Sequence, residues 1–322
     1  MPVDPQIAAI LALMEQLGAP ALSEGTPEQA RAGMRAMTID MRDAASLAVV
    51  RSIEDSTLPG PAGDIAIRVY RPEADGPVPT VVFFHGGGFV IGDIETHDDQ
   101  ARLLSRDVAA VVVSIDYRLA PENKFPAGFE DCLAATTYVG AHIDDFGGDS
   151  ARLAVAGDSA GGNLAAAVAV ACRDAGGPAL AAQLLLYPVV DLTADGPYPS
   201  RVDNGEGYFL TADDSAWFHL QYVPDDFDDA DPRASVIKIA DLSGLPPAVI
   251  GTAEFDPLRD EGEAYAERLR EAGVEVVLHR FDGMIHGFYG MGAISPAAAE
   301  AVRTLNFDLR AQLDFDLRAQ LD

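Results

Sequence analysis

An apolar run, Arg152-Leu153-Ala154-Val155-Ala156, passes directly into Gly157-Asp158-Ser159-Ala160-Gly161-Gly162 and on into the alanine-rich stretch from Asn163 to Ala171. The first part has the character of a short buried strand and the last that of a helix, so the glycines leave room only for a sharp turn between them. Glycines two residues either side of Ser159 let strand and helix pack closely and turn the serine outward at the helix N-terminus. A strand-to-helix unit of this kind belongs in a mainly parallel sheet. The serine has two readings: a helix N-cap, or a nucleophile set beside the partial positive charge of the helix end.

The surrounding chain keeps the same rhythm. Residues 1 to about 50 show helical spacing in Ile7, Ile10, Leu11, Met14 and Leu17, and Thr26-Pro27-Glu28-Gln29 has the form of an N-cap with proline in the first turn. Alternation begins at Asp64-Ile65-Ala66-Ile67-Arg68-Val69-Tyr70, and buried runs follow at Pro79 to Phe84, Ala109 to Ile115, Gln183 to Pro188, Pro247 to Ala253 and Val274 to Phe281. Helical stretches separate most of them, as at Ala127 to Ile143, which predicts a doubly wound α/β fold. Between Asp191 and Leu245 the rhythm breaks. Gly, Pro and Asp crowd there around Tyr198, Tyr208, Phe209, Trp217, Phe218, Tyr222 and Phe227, an insertion placed to lie over the strand ends. Most of its aromatics are expected only to hold it together, some to line a pocket.

Charge limits the partners. The sequence has 51 acidic and 22 basic residues, a formal charge of −29, which repels phosphate backbones and anionic lipid, so neither nucleic acid nor stable membrane association is expected. The apolar patch Ile7 to Met14 has no basic residue before it and is interrupted by Glu15, so it reads as neither signal peptide nor membrane span, and a cytoplasmic location is expected. Cys132 and Cys172 fall in helical stretches without metal-ligand spacing and are expected to be small buried hydrophobes.

A serine hydroxyl needs a base within reach and an acid to orient that base. Of the six histidines, His286 alone follows the final strand, on the glycine-flanked loop Asp282 to Phe288; His85 precedes Gly86-Gly87-Gly88, His97 and His142 lie in polar or helical surroundings, His219 is in the insertion and His279 within the last strand. Loops after parallel strands share one sheet edge, so Ser159, Asp256 and His286 can converge, in the chain order serine, acid, histidine. Asp256 before Pro257 is also an ordinary N-cap pair, with Asp260 and Glu254 as the alternative acids. The glycines after His85 free the backbone to turn N–H groups toward a ligand, whereas no G-x-G-x-x-G opens a helix there, which sets a dinucleotide site aside.

Taken together, His85-Gly86-Gly87-Gly88, Tyr117-Arg118-Leu119-Ala120-Pro121-Glu122, Gly157-Asp158-Ser159-Ala160-Gly161, Asp256-Pro257-Leu258-Arg259-Asp260-Glu261-Gly262 and His286-Gly287-Phe288 make the chain resemble the hormone-sensitive-lipase family of bacterial esterases, also called family IV lipolytic enzymes, in its GDSAG branch. The resemblance implies an α/β-hydrolase fold: a mainly parallel eight-stranded sheet with helices on both faces. A helical cap would come from residues 1–50 and 191–245, and the core from 51–190 and 246–322. It implies a Ser159, His286 and Asp256 triad, an oxyanion hole from the N–H groups of Gly87, Gly88 and Ala160, and structural support from His85 and Asp158. Neither metal nor cofactor is required, family members are often homodimers, and short-to-medium acyl esters are the expected substrates. An amidase or arylacetamide-deacetylase-like hydrolase shares these motifs. A non-catalytic ligand binder resembling the gibberellin receptors is a rival of another class, which the presence of His286 disfavours. One oddity remains: Phe307-Asp308-Leu309-Arg310-Ala311-Gln312-Leu313-Asp314 repeats verbatim as 315–322. At about 100° per residue the second copy turns its apolar stripe roughly 80° from the first, so it is expected to be a dispensable tail.

Overall fold

A computed structural model describes residues 2–18, 21–194 and 196–314. In chain order its elements are α1 (Pro5–Gln16), α2 (Pro27–Arg35), β1 (Ser52–Gly60), β2 (Gly63–Arg71), β3 (Val78–Phe84), α3 (Asp98–Val108), β4 (Val111–Ile115), α4 (Ala127–Ala141), β5 (Gly148–Asp158), α5 (Ala160–Ala175), β6 (Ala182–Leu186), α6 (Ser200–Asp203), α7 (Ala212–Tyr222), β7 (Ala248–Phe255), α8 (Arg259–Glu271), β8 (Val276–Ile285) and α9 (Pro296–Leu313), with short helical turns between some of them. The strands form one sheet in the order β1-β2-β4-β3-β5-β6-β7-β8. β1 and β2 pair antiparallel, as do β2 and β4, and every later pair is parallel.

The apolar runs of β3, β5, β6 and β7 are buried on both faces, yet their side chains still alternate. Val82, Phe84, Leu153, Val155, Leu185 and Ile250 pack with α4, α5 and α8, while Val81, Phe83, Ala154, Ala156, Leu184 and Val249 pack with α3 and α9. A parallel sheet covered by helices on both sides produces this pattern. Cys132 and Cys172 are free and buried, on α4 and α5 as expected.

β1 was not legible as a strand. Its segment Ser52-Ile53-Glu54-Asp55-Ser56-Thr57-Leu58-Pro59-Gly60 buries only Leu58, because it is the outer strand of the antiparallel margin, where a proline and several charges are tolerated. β8 runs on to Ile285, beyond the expected end at Phe281, so His286 follows the strand directly. The first copy of the terminal octapeptide completes α9, with Leu309 and Leu313 buried; the second copy lies outside the described residues.

The N-terminal helices and the insertion meet, since Ser23 N donates to Asp214 Oδ1 at 3.0 Å. Thr26 and Gln29 form the reciprocal cap at the start of α2. From α2, Arg31 reaches Val90 O and Ala120 O, both at 2.8 Å, and forks onto Glu122 at 2.7 and 2.8 Å. The insertion is tied down at its start. Arg201 forks onto the fully buried Glu261 of α8 at 2.6 and 2.9 Å and reaches Asp191 O at 2.6 Å, while Glu261 accepts Val190 N at 2.9 Å.

Burial pushes Glu261 up to about 7 from 4.5, against the opposing pull of Arg201 and the two backbone N–H groups. Removing Arg201 therefore leaves a buried carboxylate without its partner cation. Arg201→Ala is expected to cost about 3–5 kcal/mol of stability at pH 8. The loss should shrink toward pH 5: a carboxylate whose folded pKa is raised penalises folding above its unfolded value, and that penalty disappears as it takes up a proton. Urea denaturation of wild type and variant at the two pH values checks both the size and the sign.

Candidate active site

The turn between β5 and α5 is as tight as its glycines require. A Cβ on Gly157 would overlap the carbonyl of Gly161 and lie 2.7 Å from Phe84 O, and one on Gly161 would overlap Phe84 O itself. The strain is carried at Ser159, which adopts φ 56° and ψ −117°, a conformation that non-glycine residues seldom occupy. Its backbone is held by Ser159 N donating to Leu186 O at 2.8 Å. The side chain makes no N-cap hydrogen bond, so the capping reading of this serine fails. Ser159 Oγ lies instead 3.0 Å from His286 Nε2.

Sheet register delivers the partners. Phe255 stands opposite Ile285 after a register shift in the β7–β8 ladder, so Asp256 and His286 leave the sheet as neighbours. Asp256 Oδ2 is 2.8 Å from His286 Nδ1, and Oδ1 accepts Leu258 N at 2.8 Å. The acid thus orients both the histidine and its own turn. Asn204 of the insertion donates to Asp256 O at 3.1 Å, and Ser200 Oγ donates to Pro257 O at 2.8 Å. The alternative acids go elsewhere: Asp260 accepts from Ser200 N and Arg259, and Glu254 from Gly283 N. Ser159, His286 and Asp256 are 8%, 6% and 0% exposed, which withdraws the set from bulk water. With the Nδ1 proton directed at Asp256, Nε2 presents a lone pair to the serine hydroxyl.

The glycine loop lies beside the turn because Phe84 pairs with Gly157 across β3 and β5. Gly87 and Gly88 have φ of 114° and 58°, which glycine adopts without penalty. Among the described residues, none of the hydrogen bonds uses the N–H groups of Gly87, Gly88 or Ala160. His85 stacks on Tyr117 with ring centroids 4.4 Å apart, and its Nδ1 is 2.8 Å from Gly86 O; burial and the neighbouring His97 push it down to about 4, so it is neutral. Tyr117 OH donates to His85 O at 2.7 Å. Asp158 Oδ1 accepts Gly86 N at 2.8 Å. The other histidines are apart from Ser159: His219 faces Asp229, His279 faces Asp308 and His142 stacks on Tyr138.

Two site neighbours, Tyr187 and Met291, had no sequence signal, whereas Phe209 and Phe218 are among the insertion aromatics of which some are expected to line a pocket. Tyr187 sets its ring edge-to-face against His286 at 4.8 Å, Phe218 of α7 lies directly on Gly88, and Phe209 and Met291 flank Gly287. His97, expected only in polar surroundings, lies 3.6 Å from Asp158. Most insertion aromatics do hold structure, as expected: Tyr222 stacks on Phe89 at 3.8 Å, and Phe227 packs on Phe125. Among the described residues no group of three or more His, Cys, Asp or Glu side chains could hold a metal ion, and no helix is long and apolar enough to cross a membrane.

Residues 81–290 match the family model of the α/β hydrolase fold. The chain is 47% identical over 267 residues to the carboxylic ester hydrolase LipN of Mycobacterium tuberculosis, covering 81% of this chain and 70% of that protein. It is 48% identical over 242 residues to the carboxylesterase NlhH of the same species, covering 74% and 75%. Among solved structures it is similar to the hyperthermophilic esterase of Pyrobaculum calidifontis, with a TM-score of 0.91 and 44% identity over 97% of this chain and 99% of that one.

The close approach at the turn makes a direct prediction. Gly161→Ala places a methyl against the backbone carbonyl of Phe84, which cannot swing aside as a side chain would. The variant is expected to lose about 3 kcal/mol, at the upper end of overpacking costs, with activity falling in parallel. Thermal unfolding followed by circular dichroism, alongside an ester-hydrolysis assay, measures both.

Proposed function

The chain belongs to the α/β hydrolase fold family, in its hormone-sensitive-lipase-like group of carboxylic ester hydrolases, and we propose that it cleaves short-to-medium acyl esters through Ser159, His286 and Asp256 and an acyl-enzyme. The observation that carries this reading is the unbroken line from Ser159 Oγ to His286 Nε2 at 3.0 Å and from His286 Nδ1 to Asp256 Oδ2 at 2.8 Å. The Gly157-Asp158-Ser159-Ala160-Gly161 sequence supports placement in the GDSAG branch.

In the proposed reaction Ser159 Oγ bonds to the ester carbonyl carbon as its proton passes to His286 Nε2. The carbonyl oxygen becomes an oxyanion, taken up by the N–H groups of Gly87, Gly88 and Ala160. His286 then returns the proton to the departing alkoxide, and the alcohol leaves an acyl ester on Ser159. Water, deprotonated by the same histidine, attacks that ester and releases the acid, restoring the serine. Asp256 keeps the ring in the required tautomer and offsets the imidazolium charge that forms. Residues 1–50 and 191–245 act as a cap, and their apolar contributions beside the site, Phe209 and Phe218, suit an uncharged ester better than a charged one.

Ser159→Ala and His286→Ala are each expected to reduce turnover of p-nitrophenyl butyrate by about 10⁶-fold, since the members of such a set fail together. Asp256→Asn is expected to reduce it by about 10⁴-fold. All three should unfold within a few degrees of wild type. Retained turnover in Ser159→Ala would contradict the assignment. A p-nitrophenyl series should fall from butyrate to palmitate, and hydrolysis of matched anilides faster than esters would favour the amidase reading.

A further inference from the structure

His97 stands at the N-terminus of α3, at the end of the loop that follows the three glycines, and is only 2% exposed. Its ring lies between two partners: Nδ1 is 2.9 Å from Thr96 Oγ1, and Nε2 is 3.6 Å from Asp158 Oδ1. The second distance is that of a charge contact, beyond ordinary hydrogen-bond reach. The Thr96 hydroxyl is already committed. It donates to Asp93 O at 2.8 Å and accepts from Asp93 N at 2.8 Å. A hydroxyl has one proton, so toward His97 it can only accept, and the proton between them belongs to Nδ1.

A neutral ring would then turn a bare Nε2 lone pair toward a carboxylate oxygen in a buried site. A second proton, on Nε2, converts that repulsion into an attraction. We propose that His97 is a positioning residue for ester hydrolysis, a buried imidazolium that fixes the Asp158 carboxylate, which in turn holds Gly86 N and so the backbone of the glycine loop. The chain of contacts is short. Asp158 Oδ1 accepts Gly86 N at 2.8 Å, and the carboxylate packs so closely on Gly86 that a Cβ there would overlap it. Gly86 is followed directly by the two proposed oxyanion donors. The inference rests on that reading of Gly87 and Gly88.

The charged and titratable groups facing the ring are Asp158 from the end of β5, His85 from the end of β3 with its centroid 5.3 Å away, and Asp99 from α3 itself. Burial pushes His97 down, but Asp158, Asp99 and the Asp93 carbonyl together outweigh it and the net shift is upward. Asp158 shows the reciprocal: burial pushes it up, and His97, together with His85 and the Gly86 N–H, more than reverses this. A histidine raised above its ordinary 6.5 contributes fully below that value and loses its contribution as pH rises through the raised value. The loop should therefore slacken on the alkaline side.

NMR of the full chain with ¹⁵N-labelled histidine reads the ring directly. One histidine, absent from the spectrum of His97→Gln, is expected to carry protons on both nitrogens at pH 7; a neutral His97 ring at that pH overturns the proposal. In His97→Gln, kcat for p-nitrophenyl butyrate should fall about tenfold with KM within about twofold, less than the loss of a whole oxyanion donor. The wild-type to variant ratio of kcat should decline toward one over the pH range in which NMR shows His97 losing its proton. A ratio constant across that range overturns the proposal and leaves His97 a packing residue. Should His97→Gln not fold, Asp158→Asn is expected to lower kcat in the same way and to return His97 to a neutral ring at pH 7; a doubly protonated His97 in that variant overturns the pairing. Turnover persisting in Ser159→Ala would instead defeat the triad, whereas an inactive Ser159→Ala beside an unaltered His97→Gln defeats this inference alone.

Discussion

The Phe84 carbonyl, at the end of β3, touches the path of the neighbouring turn so closely that neither Gly157 nor Gly161 has room for a Cβ. Everything near the site follows from that approach. It lets α5 begin directly against the sheet and forces Ser159 into φ 56°, so that its side chain leaves the turn on the side of the strand ends. Twelve of the residues of α5 are buried, and that packing offsets the strain of order 1–3 kcal/mol that such a backbone carries. The serine is consequently held by the core and by its backbone hydrogen bonds, with no capping bond from its side chain, and its hydroxyl is free to meet His286.

The remaining groups are set by register, which is a stiffer device than loop contacts. Phe84 pairs with Gly157 on one side and with Ile115 on the other, which brings His85 beside Asp158 and Tyr117 against His85. At the other end of the parallel ladder, the shift between Ala253 and Phe255 aligns Phe255 with Ile285 and makes Asp256 and His286 adjacent exits. A slip by one residue in either ladder would reverse every side chain and separate the pair. The β-sheet core thus spends no flexible segment on holding the three proposed catalytic side chains.

What could be read from the sequence was whatever depended on neighbours in the chain. The buried strands, the glycine turn, the cap at Thr26 and the position of His286 after the last strand were all legible, because each is a local pattern of apolar residues, glycines and capping groups. The two readings of Ser159 could not be separated locally; only a contact 127 positions along the chain decides between them. Asp256 shows that two readings can both hold, since one carboxylate oxygen serves its own turn and the other the histidine. β1 escaped because an outer strand needs no apolar alternation, and His97 because a polar loop in sequence became a buried contact through Asp158. These are consequences of packing between distant segments, for which a single chain has no periodic signature.

The scarce positive charges follow the same division between local and distant. With 22 basic residues against 51 acidic ones, arginine stands where the N-terminal helices and the insertion meet the sheet domain. Arg31 joins α2 to Val90 O, Ala120 O and Glu122; Arg35 pairs with Asp93; Arg42 reaches Glu95 O; and Arg201 joins the insertion to Glu261. Exposed ion pairs alone contribute only about 0–1 kcal/mol, so charge pairing by itself would hold these segments weakly. Arg31, Arg42 and Arg201 do more, because a planar fork satisfies backbone carbonyls and a carboxylate together, fixing direction as well as distance. Lysine carries its three donors on one nitrogen and lacks the planar fork that spans these separated acceptors. The contacts of Arg31 and Arg42 also fall on the loop from Val90 to Glu95, between the glycines and His97. The N-terminal segment and the buried His97 therefore brace the same short stretch of backbone from opposite ends, one through half-buried arginines whose partly exposed ion pairs salt can screen, the other through a proposed charge that the core conceals.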